Sequence, residues 1–204
     1  MAAWLADRVT GSGSVLATDI DISGLSGLRQ AHVTVARHDL EREGVPWAGF
    51  DLIHARLVLE HLREPAAAVG KLASALRAGG WLIVEDADGL LFDAEPAEEA
   101  FAAIAGPWQR AALAAGWNPL YGRYLLTDMH RVGLGRVAGR AHRSYQSGGE
   151  AWLAARLGLE RMRDQIQHEG ASQGDLDAAL AALDDRTRTV IGGPIVTAWG
   201  QHTG

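Results

Sequence analysis

The chain has 204 residues, of which 48% are hydrophobic and 22% charged, and this composition is typical of a folded globular protein. Its formal net charge of −6 argues against a protein that binds nucleic acid by neutralising phosphates. The lack of cysteine excludes disulfides, thiolate nucleophiles and zinc–thiolate sites. Because the sequence shows neither a membrane span nor a signal peptide, we expect a cytoplasmic protein that does not associate with membranes.

Short apolar strands alternate with helices through the first 90 residues. The pattern predicts a helix at 1–9, strands at 15–19, 33–35 and 50–54, a helical stretch that starts at 57–62 and continues through 65–76, and a glycine turn into a strand at 81–84. This alternation is typical of βαβ units and of a parallel sheet. The fold class predicted from it is α/β.

Gly11 and Gly13 lie between the first helix and the first strand. A glycine loop that cradles the charged end of a ligand follows a strand and opens a helix. These two glycines come before a strand, so they predict a turn and not a ligand cradle.

The second half of the chain is richer in helices. A long alanine-rich helix at 97–116 is expected to kink or break at Gly106-Pro107, where proline removes a backbone donor. The remaining predicted elements are a helix at 123–132, an extended segment at 136–145, a weaker helix at 23–30, helices at 150–167 and 172–183, and a last apolar strand at 195–199.

Asp19 and Asp39 follow two successive strands, at the point where open α/β sheets bind ligands. A carboxylate there can accept hydrogen bonds from the hydroxyls of a ribose or from an adenine amino group. Each aspartate by itself also fits a residue that caps the next turn. Their occurrence at the ends of successive strands favours a nucleotide site.

The ordered series of motifs resembles the class I S-adenosylmethionine-dependent methyltransferases, most closely the small-molecule branch typified by the ubiquinone-biosynthesis enzymes. The segments that carry the resemblance are 15–21, His38-Asp39, 50–62 with Phe-Asp-Leu-Ile and Leu-Glu-His-Leu, 76–86 with Leu-Arg-Ala-Gly-Gly, and the closing 193–200. The resemblance implies a Rossmann-like three-layer sandwich with a mostly parallel sheet, an antiparallel last strand and helical cap insertions. It divides one domain into a cofactor-binding half at 1–90, helical substrate-side insertions at 91–134 and 146–190, and closing strands at 135–145 and 194–200.

The resemblance also implies S-adenosylmethionine as the cofactor and an O, N or C atom of a small molecule as the methyl acceptor. Asp19 with Ile20 would take the ribose hydroxyls, and Asp39 with Leu40 the adenine. The residues that would line the path beside the methionine moiety are His54, Ala55 and Arg56.

The family's first strand and glycine loop have no counterpart in this sequence, and Ala78 stands where the family's turn has proline. The sheet that results would expose two apolar strand edges. We therefore expect a truncated chain, direct pairing of the flanking strands, or a strand borrowed from a partner, such as a homodimer formed through the exposed edge. We expect weak binding of the cofactor, and a catalytically inactive binding or partner subunit is the alternative function.

His54 and His61 lie near the expected site of methyl transfer, and either could act as a general base. Both also fit polar residues at a strand end and on a helix surface. Glu85, Asp86 and Asp88 could together hold a divalent cation, but a solvated loop after the strand is the better interpretation, and we expect no metal.

Several aromatic residues and one arginine lie in the helical insertions. In the family such insertions roof the substrate pocket, although aromatic residues at helical spacing more often belong to the core. These residues are Trp108, Trp117, Tyr121, Arg123, Tyr124 and Trp152.

Overall fold

The computed structural model describes residues 1–9, 13–30, 32–89, 92–95 and 99–204. It contains two compact units, Met1–Pro46 and Trp47–Gly204, and each is described by itself. The predicted turn at Gly11 and the first residues of the helix predicted at 97–116 lie outside the described residues. The predicted division into a cofactor-binding half and helical insertions remains a prediction.

The first unit is built on two parallel strands. Helix α1 (Ala2–Arg8) precedes β1 (Val15–Asp19), which pairs in parallel with β2 (Val33–Arg37), as the βαβ pattern predicted. The helix expected at 23–30 is only a 3₁₀ turn at Ile22–Leu25. Glycines 24 and 27 explain the difference, because glycine loses more backbone entropy in a helix than other residues do.

The second unit contains a four-stranded sheet. Its strands are β3 (Phe50–Arg56), β4 (Leu76–Ala87), β9 (Ile195–Gln201) and β6 (Gly135–His142), in that spatial order. β3 and β4 are parallel, and β9 is antiparallel to both β4 and β6. Three strands therefore run in one direction and the last strand of the chain against them, which confirms the predicted fold class.

Two helices cover one face of this sheet. α2 (Pro65–Ser74) and α4 (Leu125–Arg131) pack against β4, β6 and β9. Strand alternation places Leu82 and Val84 on the same face, and both are fully buried. The hydrophobic periodicity of α2 predicted this packing, because Val69 and Leu72 lie on one side of the helix.

The remaining helices form a separate core. They are α3 (Glu99–Ala114), α5 (Leu153–Arg161), α6 (Arg163–His168) and α7 (Gln173–Asp184). Of the kink or break predicted at Pro107, the break is wrong, because α3 continues through it; the kink stays a prediction. Ile104 and Trp108 on either side are buried in this core. The helix predicted at 150–167 is divided into a 3₁₀ turn, α5 and α6.

A third sheet contains β5 (Phe92–Glu95), β8 (Thr189–Gly192) and β7 (Tyr145–Ser147), paired antiparallel in that order. The sequence patterns did not predict β5 or β8.

Every helix in the described part of the chain is too short or too polar to span a membrane. The carboxyl ends of β3 and β4 lie at one edge of the four-stranded sheet, and the polar residues of the second unit gather there.

Candidate functional site

Asp19 and Asp39 lie at the carboxyl edge of the two-stranded sheet in the first unit. Asp19 ends β1, and its backbone carbonyl accepts a hydrogen bond from the N–H of His38 at 3.0 Å. The Asp19 side chain is exposed, and its Oδ1 accepts the N–H of Asp21 at 3.0 Å. The neighbouring residue Ile20 is also exposed.

The Asp39 carboxylate is more deeply placed than that of Asp19. Its Oδ1 accepts the backbone N–H groups of Glu41 and Arg42, each at 3.1 Å, and Leu40 beside it is partly buried. Asp19 and Asp39 thus both cap turns, which is one of the two roles that the sequence predicted for them. They also place two carboxylates on adjacent strands at the edge where nucleotide folds bind ligands.

His54 and Glu85 form a side-chain pair on neighbouring strands of the second unit. The Nε2 atom of His54 lies 2.8 Å from Oε1 of Glu85, and both side chains are mostly buried. A carboxylate in this position fixes the orientation and the tautomer of an imidazole. The sequence singled out both residues but did not predict that they pair.

Glu85 lies in a polar row that crosses all four strands. The register aligns Arg56 on β3 with Glu85 on β4, Thr197 on β9 and Arg140 on β6. Glu85 Oε2 is 3.5 Å from the Thr197 hydroxyl and 4.0 Å from Nε of Arg56. Arg56 and Arg140 at the two ends of the row are exposed, and Ala55 beside Arg56 is partly buried.

A second pair of carboxyl groups, Glu60 and Asp86, is buried at the same edge. Only 2% of Glu60 and none of Asp86 is exposed. The prediction that residues 85–88 form a solvated loop is wrong for Glu85 and Asp86, because β4 extends to Ala87. The period-two alternation of Leu82, Val84 and Asp86 is the signal that places Asp86 on the covered face.

Burial, followed by the nearby charge of Glu60, raises the pKa of Asp86 to about 8, against backbone N–H groups that favour the ionised form. Asp86 Oδ1 accepts the N–H of Val58 at 3.1 Å. Glu60 instead accepts two hydrogen bonds, from the Ala87 N–H at 2.7 Å and from the Trp117 indole at 3.1 Å.

His61 lies on the solvent side of this pair. Half of its side chain is exposed, and its Nε2 is 3.5 Å from Glu60 Oε1. Its ring contacts that of Trp117 at 5.2 Å between centroids, and Trp117 meets Trp108 edge-on at 4.9 Å. Trp108 and Trp152 belong to the helical core, whereas Trp117 connects that core to the sheet edge.

The 3₁₀ turn at Tyr121–Tyr124 closes this edge from the other side. Tyr121 is buried and donates its hydroxyl to Asp128 at 2.9 Å. Burial and this hydrogen bond raise the pKa of Tyr121, so its phenol stays protonated. Arg123 pairs with Asp88 at 2.5 Å, while Tyr124 is half exposed. Within the described ranges, no three His, Asp or Glu side chains are arranged to hold a metal.

Comparison with known proteins identifies a family for most of the chain. Residues 1–160 match the family described as "Methyltransferase domain". A search of curated proteins found no significant sequence match.

Three solved structures share the fold at low sequence identity. The YcgJ protein of Bacillus subtilis is 12% identical, with a TM-score of 0.57 over 94% of this chain and 83% of that one. An S-adenosylmethionine-dependent methyltransferase of Mesorhizobium loti is 18% identical, with a TM-score of 0.51 over 98% and 84%. A Haemonchus contortus phosphoethanolamine N-methyltransferase, solved with phosphomonomethylethanolamine and S-adenosylhomocysteine, is 13% identical, with a TM-score of 0.53 over 99% and 52%.

Proposed function

The chain belongs to the methyltransferase-domain family, and from that premise we propose that it transfers the methyl group of S-adenosylmethionine to an O, N or C nucleophile of a small molecule. The family match over residues 1–160 carries the methyl-transfer proposal. Two solved structures of the same fold support this cofactor. The Haemonchus contortus enzyme was solved with S-adenosylhomocysteine, and the Mesorhizobium loti protein is described as S-adenosylmethionine-dependent.

The first unit offers groups suited to the nucleoside end of that cofactor. Asp19 has an exposed carboxylate at the end of a parallel strand, which suits two ribose hydroxyls because a carboxylate accepts more than one hydrogen bond. Asp39, with Leu40, is proposed for the adenine. When bound, the cofactor supplies a methyl group on a sulfonium, which is a good leaving group, so the protein's task is mainly positioning.

His54 is the proposed general base, and Glu85 orients it. If the imidazole donates its Nε2 proton to Glu85 across 2.8 Å, its Nδ1 keeps a lone pair that can accept a proton from the acceptor. Ala55 and Arg56 continue the strand beside the proposed methionine path. His61 is the other candidate, since half of its side chain is accessible.

A calorimetric titration with S-adenosylhomocysteine tests the cofactor site. Asp19→Ala should weaken binding by roughly ten- to a hundredfold, because hydrogen bonds to a charged group contribute about 1.5–3 kcal/mol. Asp51→Ala is the matched control, since Asp51 is an exposed carboxylate whose partner is Arg77. Equal losses in the two variants would overturn the assignment of Asp19.

Once a methyl acceptor has been identified, the pH dependence of kcat/KM tests which residue is the general base. His54→Gln should lower kcat by about 10²- to 10⁴-fold, and Glu85→Gln should shift the acidic limb of the profile, whereas His61→Gln should leave both unchanged. If instead His61→Gln causes the loss, His61 is the base. A profile and rate unaffected by either change would show that transfer needs no imidazole.

We also propose a contact with a second copy of the chain at β3. Within the four-stranded sheet this strand is hydrogen-bonded only to β4. Leu52 in the strand, and Leu57 and Val58 just after its end, are each more than one-third exposed. An open strand edge with apolar side chains is a ready site for pairing with another chain.

Light scattering after gel filtration should give the mass of a dimer, and Leu52→Glu should convert this dimer to a monomer. A dimer without methyl transfer would favour the alternative function, a binding or partner subunit.

A further inference from the structure

Glu60 connects three segments that are distant in the sequence. Its carboxylate accepts the Ala87 N–H at the end of β4 and the indole N–H of Trp117 after α3. Its backbone carbonyl accepts the N–H of Asn118 at 2.7 Å. The segment after β3, the end of β4 and the turn after α3 are thereby held together by one residue.

Asp86 holds the same segment from the strand side. Its Oδ1 accepts the N–H of Val58 at 3.1 Å, and Leu57 donates its N–H to the carbonyl of Glu85 at 2.7 Å. In the described part of the chain, Asp86 Oδ2 is buried and has no hydrogen-bond partner. A buried carboxylate oxygen without a donor is costly, and protonation lowers this cost because a neutral carboxyl group is easier to bury than a charged one.

The two carboxyl groups are close neighbours, because Glu60 binds the amide of the residue that follows Asp86. The charge of Glu60 acts on Asp86, and two buried carboxylates that are close neighbours repel each other strongly when both are ionised. The compensating groups are few: three backbone N–H groups, of Val58, Leu59 and Glu60, face Asp86. On the other sides lie the Tyr121 phenol, held by Asp128, and the half-exposed His61. Arg131 is engaged by Asp128 and Arg123 by Asp88, so neither cation neutralises the pair.

We propose that Asp86, protonated beside Glu60, forms with it a proton-dependent latch, which fixes the segment 57–62 and the indole of Trp117 to the sheet edge. When the proton leaves, repulsion between the carboxylates separates Glu60 from Asp86. The indole N–H of Trp117 then loses its acceptor, and the His61–Trp117 ring contact loosens. The latch couples the ionisation of one buried group to the aromatic residues that join the helical core to the sheet.

The latch can be tested on the intact chain without any ligand, so its failure is distinct from failure of the proposed function. In ¹H–¹⁵N spectra the seven tryptophans give indole signals, and Trp117→Phe identifies the signal of interest. Between pH 5.5 and 9.5 this signal should move with a midpoint near pH 8. Asp86→Asn, which mimics the protonated acid, should abolish the movement, and Glu60→Gln should lower its midpoint by about one pH unit.

Two control variants exclude neighbouring groups. Asp88→Asn removes a carboxylate two residues along the chain and should leave the midpoint unchanged, as should His61→Gln. A signal that stays constant in the wild type, or that titrates equally in Asp86→Asn, would overturn the proposal. If Asp86→Asn does not fold, the ¹³C carboxyl signal of Asp86 in the wild type decides, because the latch requires it to remain protonated above pH 6.5.

Discussion

Asp19 and Asp86 are both carboxylates near the end of a parallel strand, but water surrounds the first and none reaches the second. The first is therefore accessible to the proposed hydroxylated ligand, whereas the second accepts a hydrogen bond from the protein's own backbone. Sequence motifs identified Asp19 because its position follows from the strand end alone. The pairing of Asp86 with Glu60 could not be predicted, because it depends on how the segment after β3 turns back over β4.

That turn stores backbone strain at Leu57. Its φ of +52° lies in the left-handed region, which costs a residue with a side chain about 1–2 kcal/mol. Leu57→Gly should therefore change the free energy of unfolding by less than about 0.5 kcal/mol, since relief of strain offsets the entropy of glycine. Leu52→Gly, at an equally exposed leucine within β3, should cost about 1 kcal/mol or more. Urea denaturation of both variants measures these changes. Equal losses of unfolding free energy would contradict the backbone strain at Leu57.

At the scale of elements, the periodic patterns succeeded where an element is long and its partner is close in the sequence. α2, β3 and β4 were predicted from runs of apolar residues, and β3 pairs with β4 one helix later. β5 and β8 were missed because each has four residues, and they pair across about a hundred residues of chain. Strands that short carry too few residues for a period to be visible.

α7 shows how a local motif defines the start of an element. Ser172 accepts the N–H of Asp175 at 3.1 Å, while the Asp175 carboxylate accepts the N–H of Ser172, which makes a reciprocal capping box. Ser172→Ala should lower the free energy of unfolding by about 1 kcal/mol. Ser74→Ala, at the exposed C-terminal end of α2 where the hydroxyl bonds only to the Lys71 carbonyl, should change it by less than about 0.5 kcal/mol. Thermal melts of the two variants check this prediction. Equal shifts of the melting temperature would contradict the capping role of Ser172.

For the whole molecule, the order of strands along the chain was enough to predict the fold class and the family. The division into two compact units at Pro46 was not predicted, because the polar segment at 41–49 is typical of an ordinary loop between two elements of one domain as well. The candidate site shows the same limit. Asp19, Asp39 and His54 were proposed from strand ends, but the contact between His54 and Glu85 depends on pairing across the sheet.

The raised pKa of Asp86 makes stability depend on pH. The folded protein binds this proton up to about pH 8, whereas the unfolded chain releases it near the ordinary value of 3.8. Between these values the folded state binds more protons, so the contribution of Asp86 is full below pH 3.8 and is lost as the pH rises to 8, by up to about 1.4 kcal/mol per pH unit. Urea denaturation at pH 5, 6.5 and 8 should show the decline in the wild type and a smaller one in Asp86→Asn. Parallel curves for the two proteins would contradict this assignment.

The 3₁₀ turn at Tyr121–Tyr124 has a consequence for comparisons between relatives. A Cβ at Gly122 would lie 2.7 Å from the carbonyl oxygens of both Asp86 and Ala87, so the two main chains meet with no room for a side chain. In a saturation library, position 122 should be depleted of every substitution, while its exposed neighbours Arg123 and Tyr124 tolerate many. An alignment would then show an invariant glycine beside the carboxyl end of β4, and its invariance would record a steric limit and not a part in catalysis.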